Sequence, residues 1–162
     1  MPIAKIVVTL KKSKYCPLPV DRLMPLIHPL PSSSRPPEMP KTLVDCGNCG
    51  PDFNSIRKMV TANFEATVLQ THGAEDTLEL LRSRKVDLVT VNRKLDRDYS
   101  DGLEIIRAIK SDPDVKDVPV MLVTNYDEHQ QTAVEEGATY GFGKLEIGNE
   151  ETVEKLKPYL AG

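Results

Sequence analysis

The chain has 162 residues, a net charge of −3 and a pI of about 5.7. This length allows one domain with a two-sided core, and the acidic balance argues against a nucleic-acid surface. No apolar run is long enough to cross a bilayer, and early lysines interrupt any signal-peptide core, so we expect a cytoplasmic protein without a membrane partner. The three cysteines predict free thiols rather than a disulfide framework.

Residues 1–40 differ in composition from the rest of the chain. Prolines are concentrated between Pro17 and Pro40, which predicts an extended linker. Residues 4–10 could form a strand, but a lone strand cannot bury its own faces. The stretch is either an N-terminal extension, docked or disordered, or sequence ahead of a true start at Met39. We place the folded domain at residues 41–162.

From residue 42 onward, strand and helix patterns alternate. The predicted strands are residues 42–45, 66–71, 86–91, 118–124 and 139–143, and the predicted helices are residues 52–63, 74–83, 101–110, 127–136 and 150–159. Gly137 is placed to end the fourth helix. Five strands alternating with five helices predict a doubly wound α/β fold with a five-stranded parallel sheet. In such sheets the functional groups gather at the C-terminal ends of the strands.

Four polar residues stand at the predicted strand ends: Asp45, Asn92, Thr124 and Lys144. Residues 100–106 (Ser-Asp-Gly-Leu-Glu-Ile-Ile) open the helix after the third strand. With this order and spacing the chain resembles the receiver domain of bacterial two-component response regulators. The resemblance implies a flavodoxin-like sheet of order 2-1-3-4-5. It also implies that an acidic pair, a phosphate-accepting aspartate, a hydroxyl residue and a lysine belong at these four ends.

The resemblance implies a defined chemistry. A carboxylate attacks a phosphoryl donor and becomes an acyl phosphate, while two further carboxylates help to hold Mg²⁺. The lysine and the hydroxyl bind the phosphoryl oxygens. The implied partners are a histidine kinase and a downstream signalling protein.

The sequence departs from that scheme at several positions. Asn92 stands where the acceptor aspartate belongs, and an amide cannot form an acyl phosphate. Cys46 follows Asp45 where a second acid belongs, although Asp52 is a candidate replacement. A weak Mg²⁺ site at Asp45 and Asp52 therefore stays open, and no other cofactor is expected. Leu145 replaces the usual proline after the lysine, which makes a cis peptide there doubtful.

Simpler structural roles are open for the same residues. Asn92 could cap its strand by bonding to the loop backbone. Thr124 could be an ordinary β-branched strand residue. Lys144 could be a surface lysine, although we favour an ion pair with Asp45 across the pocket. Three aspartates of the following loop are predicted to be solvated, with a substitute acceptor among them as the alternative: Asp96, Asp98 and Asp101.

Cys46 and Cys49 form a C-x₂-C pair with flanking glycines in the loop after the first strand. The spacing suits half of a zinc knuckle or a redox dithiol. No second half with ligand spacing follows, so we expect a structural turn. A thiol or zinc sensor is kept as the alternative.

The leading hypothesis is a degenerate receiver that is not phosphorylated at the usual position and acts through protein–protein contacts without enzymatic turnover. The face formed by the fourth helix, the fifth strand and the fifth helix is the expected contact surface, because the family uses it. Its aromatic candidates are Tyr126, Tyr140, Phe142 and Tyr159. The rival hypotheses are a competent receiver that uses another aspartate and the thiol or zinc sensor. The sequence leaves a homodimer open.

Overall fold

The computed structural model describes residues 39–162, and the predictions for residues 1–38 lie outside them. The strands are β1 (Lys41–Cys46), β2 (Ala66–Thr71), β3 (Leu88–Asn92), β4 (Val120–Val123) and β5 (Thr139–Phe142). The helices are α1 (Gly50–Asn63), α2 (Ala74–Ser83), α3 (Gly102–Ser111), α4 (Asp127–Glu135) and α5 (Glu150–Leu160), with a short 3₁₀ turn at Lys144–Glu146. Within residues 39–162, no helix is long and apolar enough to span a membrane.

The five strands form one parallel sheet in the order β2-β1-β3-β4-β5. The predicted flavodoxin-like topology is therefore confirmed. The alternation of side chains along each strand divides the core in two. Leu43 and Leu88 face α1 and α5, whereas Val44 and Val89 face α2 and α3. All residues of β3 are buried, as expected for a central strand of a parallel sheet.

Several bounds differ from the prediction by one or two residues: β3 and β4 begin two residues later than predicted, and α1 begins earlier. Helix α1 begins at Gly50, two residues before the predicted start, because Pro51 is accepted in a first turn, where its missing N–H has no helical partner to lose. The loop between β3 and α3 contributes Leu95 to the core with only 2% of its surface exposed. The sequence pattern did not indicate this residue, since it lies between charged neighbours.

Candidate functional site

Asp45, at the end of β1, is completely buried. Its Oδ1 accepts hydrogen bonds from Asn48 Nδ2 and from Thr90 Oγ1, both at 2.7 Å. Its Oδ2 is buried and has no hydrogen-bond partner among the described residues. Burial raises the pKa of this carboxyl to about 6, although the two hydrogen bonds oppose the shift. Asp45 is therefore inaccessible from the surface, and it ionises at a higher pH than an ordinary aspartate.

Cys46 turns its thiol away from the strand end and towards α2. Its Sγ accepts a hydrogen bond from Thr77 Oγ1 at 3.3 Å and lies 3.7 Å from the carbonyl oxygen of Gly73, to which it donates. Burial raises the pKa of the thiol to about 11. A thiol with so high a pKa stays protonated at neutral pH and behaves as an inert core cysteine. Cys49 is only half-buried and occupies the N-cap position of α1.

Zinc coordination by this pair gains no support from the surrounding side chains. In the part of the chain that the structure describes, no group of three or more His, Cys, Asp or Glu side chains is placed to hold a metal ion. Two thiolates alone do not complete the four ligands of a structural zinc site.

Asn92, at the end of β3, uses its side-chain amide as a clamp between two loops. Its Nδ2 donates to the carbonyl oxygen of Gly47 at 3.0 Å and to that of Lys94. Asp96 donates its backbone N–H to the same Gly47 oxygen, also at 3.0 Å. Only 6% of the Asn92 surface is exposed. These contacts match the simpler role that the sequence left open for Asn92, a strand cap that bonds to the loop backbone.

Gly47 brings the loop after β1 against the loop after β3. Its φ of +74° is left-handed, and a Cβ at this position would lie 2.1 Å from Leu95 Cδ2. Glycine is therefore required both by the backbone and by the packing. Together with the Asn92 amide, this contact closes the two loops over Asp45.

Lys144 follows β5 and forms an ion pair with Asp52, with Nζ and Oδ2 2.7 Å apart. The favoured pairing with Asp45 is therefore wrong. Asp52 lies on the first turn of α1 and is partly exposed beside Lys144, while Asp45 is completely buried. Burial raises the pKa of Asp52, but hydrogen bonds from Lys144 and Cys49 outweigh it and hold the pKa below its usual range.

The aspartates of the loop after β3 have separate roles. Asp96 and Asp98 are exposed, as predicted. Asp101 instead caps α3 by accepting a hydrogen bond from the Leu103 N–H at 3.0 Å. It is also the carboxylate partner of Arg93, at 2.8 Å. The prediction of a purely solvated loop is wrong for Asp101, because a helix N-terminus needs an acceptor.

Asn92, Thr124 and Lys144 line one open cleft of about 320 Å³, as their strand-end positions predict. The cleft lies between the loops that follow β3, β4 and β5. Thr124 is 6% exposed, and its Oγ1 accepts a hydrogen bond from the Tyr126 N–H at 3.4 Å. The edge of the sheet is thus closed at β1 and open towards β4 and β5.

Gln130 of α4 forms a second amide clamp, which sequence reasoning missed. Its side chain is 2% exposed, and Nε2 donates to the carbonyl oxygens of Leu122 and Thr124 at 3.1 and 3.3 Å. Its Oε1 accepts the N–H of Gly141 at 3.0 Å. A Cβ at Gly141 would lie 2.0 Å from the Leu122 oxygen, so only glycine fits beside this clamp.

Four aromatic residues were predicted for the contact face, and the prediction is wrong for Phe142. It is 1% exposed and packs in the core between the sheet, α1 and α5. Tyr126 and Tyr140 are 64% and 44% exposed, and Tyr159 is half-buried. Tyr140 and Phe142 lie two residues apart in β5, where a regular strand would put them on one face, but the register of β4 and β5 is shifted between Met121 and Val123.

Residues 52–156 match the family model of the response regulator receiver domain. The chain belongs to this family. It is 24% identical over 123 residues to the polar-differentiation response regulator DivK of Brucella anthropi, covering 75% of this chain and 98% of DivK.

Two solved structures illustrate the shared fold. One is the receiver domain of a DNA-binding response regulator from Colwellia psychrerythraea, with 20% identity, a TM-score of 0.63 and coverage of 73% of this chain and 96% of that one. The other is the receiver domain of a sensor histidine kinase from Pseudomonas aeruginosa, with 12% identity, a TM-score of 0.59 and coverage of 76% and 99%. That domain holds a magnesium ion in its active-site cleft.

The residues of this receiver at the corresponding edge do not fit a magnesium ion. Mg²⁺ requires accessible oxygen ligands in near-octahedral geometry. Asp45 is sealed beneath the loops, Cys46 faces the core, and Asn92 directs its N–H groups to backbone oxygens. Asp52 alone is partly exposed, and it is committed to Lys144.

Proposed function

We propose that this chain is a receiver that takes no phosphoryl group at position 92 and acts by binding other signalling proteins. The observation that carries the proposal is the Asn92 clamp, with its amide donating to Gly47 and Lys94. An amide has no negative charge, its nitrogen lone pair is delocalised, and both of its N–H groups are already used. Nothing at this position can attack a phosphorus atom.

The neighbouring positions support the same proposal. Asp45 is buried and capped by Asn48, and the thiol of Cys46 has taken the place of a second carboxylate. A phosphoryl group brought into this site would meet no exposed acidic pair able to hold a metal ion that balances its charge. Catalysed phosphoryl transfer requires that electrostatic support as much as it requires a nucleophile.

The Gln130 clamp supports a contact face with a single conformation. It ties α4 to β4 and β5 through three hydrogen bonds. Tyr140 is fixed from outside as well, because its hydroxyl donates to Asp127 at 2.9 Å. A face held in this way binds its partner without waiting for an activating step.

On this proposal the partner is a histidine kinase or a downstream signalling protein, bound through α4, β5 and α5. The acidic chain, with its net charge of −3, offers no footprint for nucleic acid. The proposal includes no catalytic turnover and a cytoplasmic site of action.

One observation favours a second candidate, a competent receiver that uses Asp52. This carboxylate is partly exposed and lies 2.7 Å from Lys144, and its pKa is below the usual range despite burial, so it is ionised at neutral pH. It has the charge and the cationic neighbour of an acceptor, but it lies on a helix rather than at a strand end.

Intact mass after incubation with acetyl phosphate and Mg²⁺ separates the two candidates. The samples are the wild type, Asp52→Asn and a phosphorylation-competent receiver as the positive control. We expect a gain of phosphoryl mass only in the control receiver. A gain in the wild type that disappears in Asp52→Asn would replace the proposal with the second candidate.

The contact face is tested by capture of the cognate kinase or target on immobilised protein. Tyr126→Ala and Tyr140→Ala should each reduce capture, because both rings are exposed on the proposed face. Tyr99→Ala is the matched control, since this ring is 77% exposed but lies on the loop after β3. Equal capture by all three variants would remove the face from the proposal.

A further inference from the structure

The open cleft is lined by cations without an acidic residue. Arg93, Lys94 and Lys144 all contribute to its wall, and none of the described residues that line it is Asp or Glu. A concave surface lined by one sign of charge concentrates the field and attracts ions of the opposite sign.

The nearby carboxylates do not balance these three cations. Asp52 neutralises Lys144 at 2.7 Å. Arg93 and Lys94 must share the single carboxylate of Asp101, at 2.8 and 3.8 Å. Among residues 39–162, one positive charge of the cleft wall therefore has no carboxylate partner of its own.

Arg93 is held incompletely. Its Nε is buried and has no hydrogen-bond acceptor within residues 39–162, and its Nη1 lies 2.8 Å from Asp101 Oδ2 as an ion pair without hydrogen-bond alignment. A buried donor without an acceptor is unfavourable, so a rotation that brings the guanidinium onto an anion in the cleft would stabilise it. The planar fork of arginine matches the two oxygens of a carboxylate or a phosphate.

The opposite wall is aromatic. Tyr126 and His129 both line the cleft and contact each other edge to face, with ring centroids 5.7 Å apart and an interplanar angle of 74°. Such a pair leaves ring surface for a further aromatic group. The cleft volume of about 320 Å³ matches the lower range of small-molecule sites.

We propose that this cleft binds a small aromatic anion without covalent attachment. The anionic group lies on Arg93 and Lys94, and the ring lies against Tyr126 and His129. The ligand would join the loop after β3 to the start of α4, next to the contact face, and so regulate partner binding. The inference rests on the proposed function, because the cleft must be free of a phosphoryl group at Asn92.

Phenyl phosphate and benzoate are the probes, titrated into the full chain by calorimetry and by amide NMR shifts. We expect saturable binding with shifts confined to the loops after β3 and β4. Inorganic phosphate should bind at least several-fold more weakly than phenyl phosphate, because it lacks the ring. Whether phenyl phosphate or benzoate binds more tightly shows which anionic group the cleft prefers.

Lys94→Gln should weaken binding about tenfold, since it removes a charged hydrogen bond. This side chain is 56% exposed, so the fold does not depend on it. His129→Leu should lower the affinity for phenyl phosphate but leave the affinity for inorganic phosphate unchanged. Arg82→Gln is the matched control: Arg82 is an exposed arginine whose ion pair, with Asp112, lies outside the cleft, and it should bind like the wild type.

Two results would overturn the inference: no saturable binding of either aromatic anion, or equal affinity in the wild type, Lys94→Gln and His129→Leu. Intact mass of the same protein preparations, recorded after incubation with acetyl phosphate and Mg²⁺, separates the two proposals. Absent binding with unchanged mass removes only the aromatic-anion site, whereas a covalent gain of phosphoryl mass on the wild type removes the proposed function.

Discussion

Asn92→Asp is the substitution that tests the central clamp most directly. The resemblance to receiver domains places the acceptor aspartate at position 92. On that basis alone, the substitution would be expected to restore the acceptor without lowering the stability of the fold. The structure predicts the opposite. The new carboxylate oxygen would lie 3.0 Å from the Gly47 carbonyl oxygen and close to that of Lys94, with no proton to donate to either.

The expected loss of stability follows from the contacts. Two hydrogen bonds to backbone oxygens contribute about 1 kcal/mol each, and burying a charged group beside those oxygens adds a desolvation term of similar size. The side chain at position 92 is only 6% exposed, so contact with solvent offsets little of this desolvation penalty. We expect the free energy of unfolding to fall by about 3 kcal/mol at pH 7, a decrease in Tm of about 10 °C for a domain of this size.

The loss should depend on pH with a definite sign. A carboxyl held against two carbonyl oxygens has a pKa above its unfolded value, so ionisation destabilises the folded state. Below about pH 4 the difference from the wild type should be about 1 kcal/mol, because a protonated carboxyl can donate to only one of the two oxygens, and it should grow as pH rises through the raised pKa. Urea unfolding of both proteins between acid and neutral pH measures it.

Asn125→Asp is the matched control for this test. Asn125 follows β4, as Asn92 ends β3, but it is exposed, and its Oδ1 accepts the Leu145 N–H at 3.2 Å. A carboxylate performs the same role, so this variant should keep the wild-type stability. If Asn92→Asp were as stable as the wild type at pH 7, or were labelled efficiently by acetyl phosphate, the clamp would not control this site.

Three further substitutions test the rest of the site. Gln130→Met should lower the free energy of unfolding by about 3 kcal/mol, because it removes three buried hydrogen bonds, and Gln131→Met, at an exposed neighbour, should have little effect in the same urea titration. Gly47→Ala should cost about 2 kcal/mol or more through its left-handed φ and the contact with Leu95, whereas Gly50→Ala meets open space and should be neutral in thermal unfolding. Asp45→Asn should abolish a decrease in stability of about 3 kcal/mol between pH 4 and 6, since the folded pKa near 6 lies above the unfolded one and stability falls as pH rises through that interval.

The sequence was sufficient for the fold because its signals are local and periodic. Alternating apolar strands and amphipathic helices predicted all five α-helices and five strands, and parallel strands necessarily bring Asn92, Thr124 and Lys144 to one edge. It also indicated that Asn92 could bond to the loop backbone.

The partners of these side chains were beyond sequence reasoning, because they depend on loop paths. Lys144 pairs with Asp52 rather than with the completely buried Asp45, and Phe142 packs in the core against α1 and α5. Gln130 carried one usable signal, a polar residue at an inward position of a helix. That signal indicates a buried hydrogen-bonding role but does not identify its acceptors.

The two amide clamps have a common consequence for signalling. A switch requires two states of similar free energy and a ligand that binds one of them more tightly. Asn92 ties the loops after β1 and β3 together, and Gln130 ties α4 to β4 and β5, so each opposes one of the movements that a second state would need. If both clamps act as described, the amide protons of Asp96 and Gly141, which donate to the Gly47 oxygen and to Gln130 Oε1, should exchange slowly and at the same rate with or without acetyl phosphate. A signal could then enter only through binding, and the cleft beside Tyr126 is the open route to the contact face.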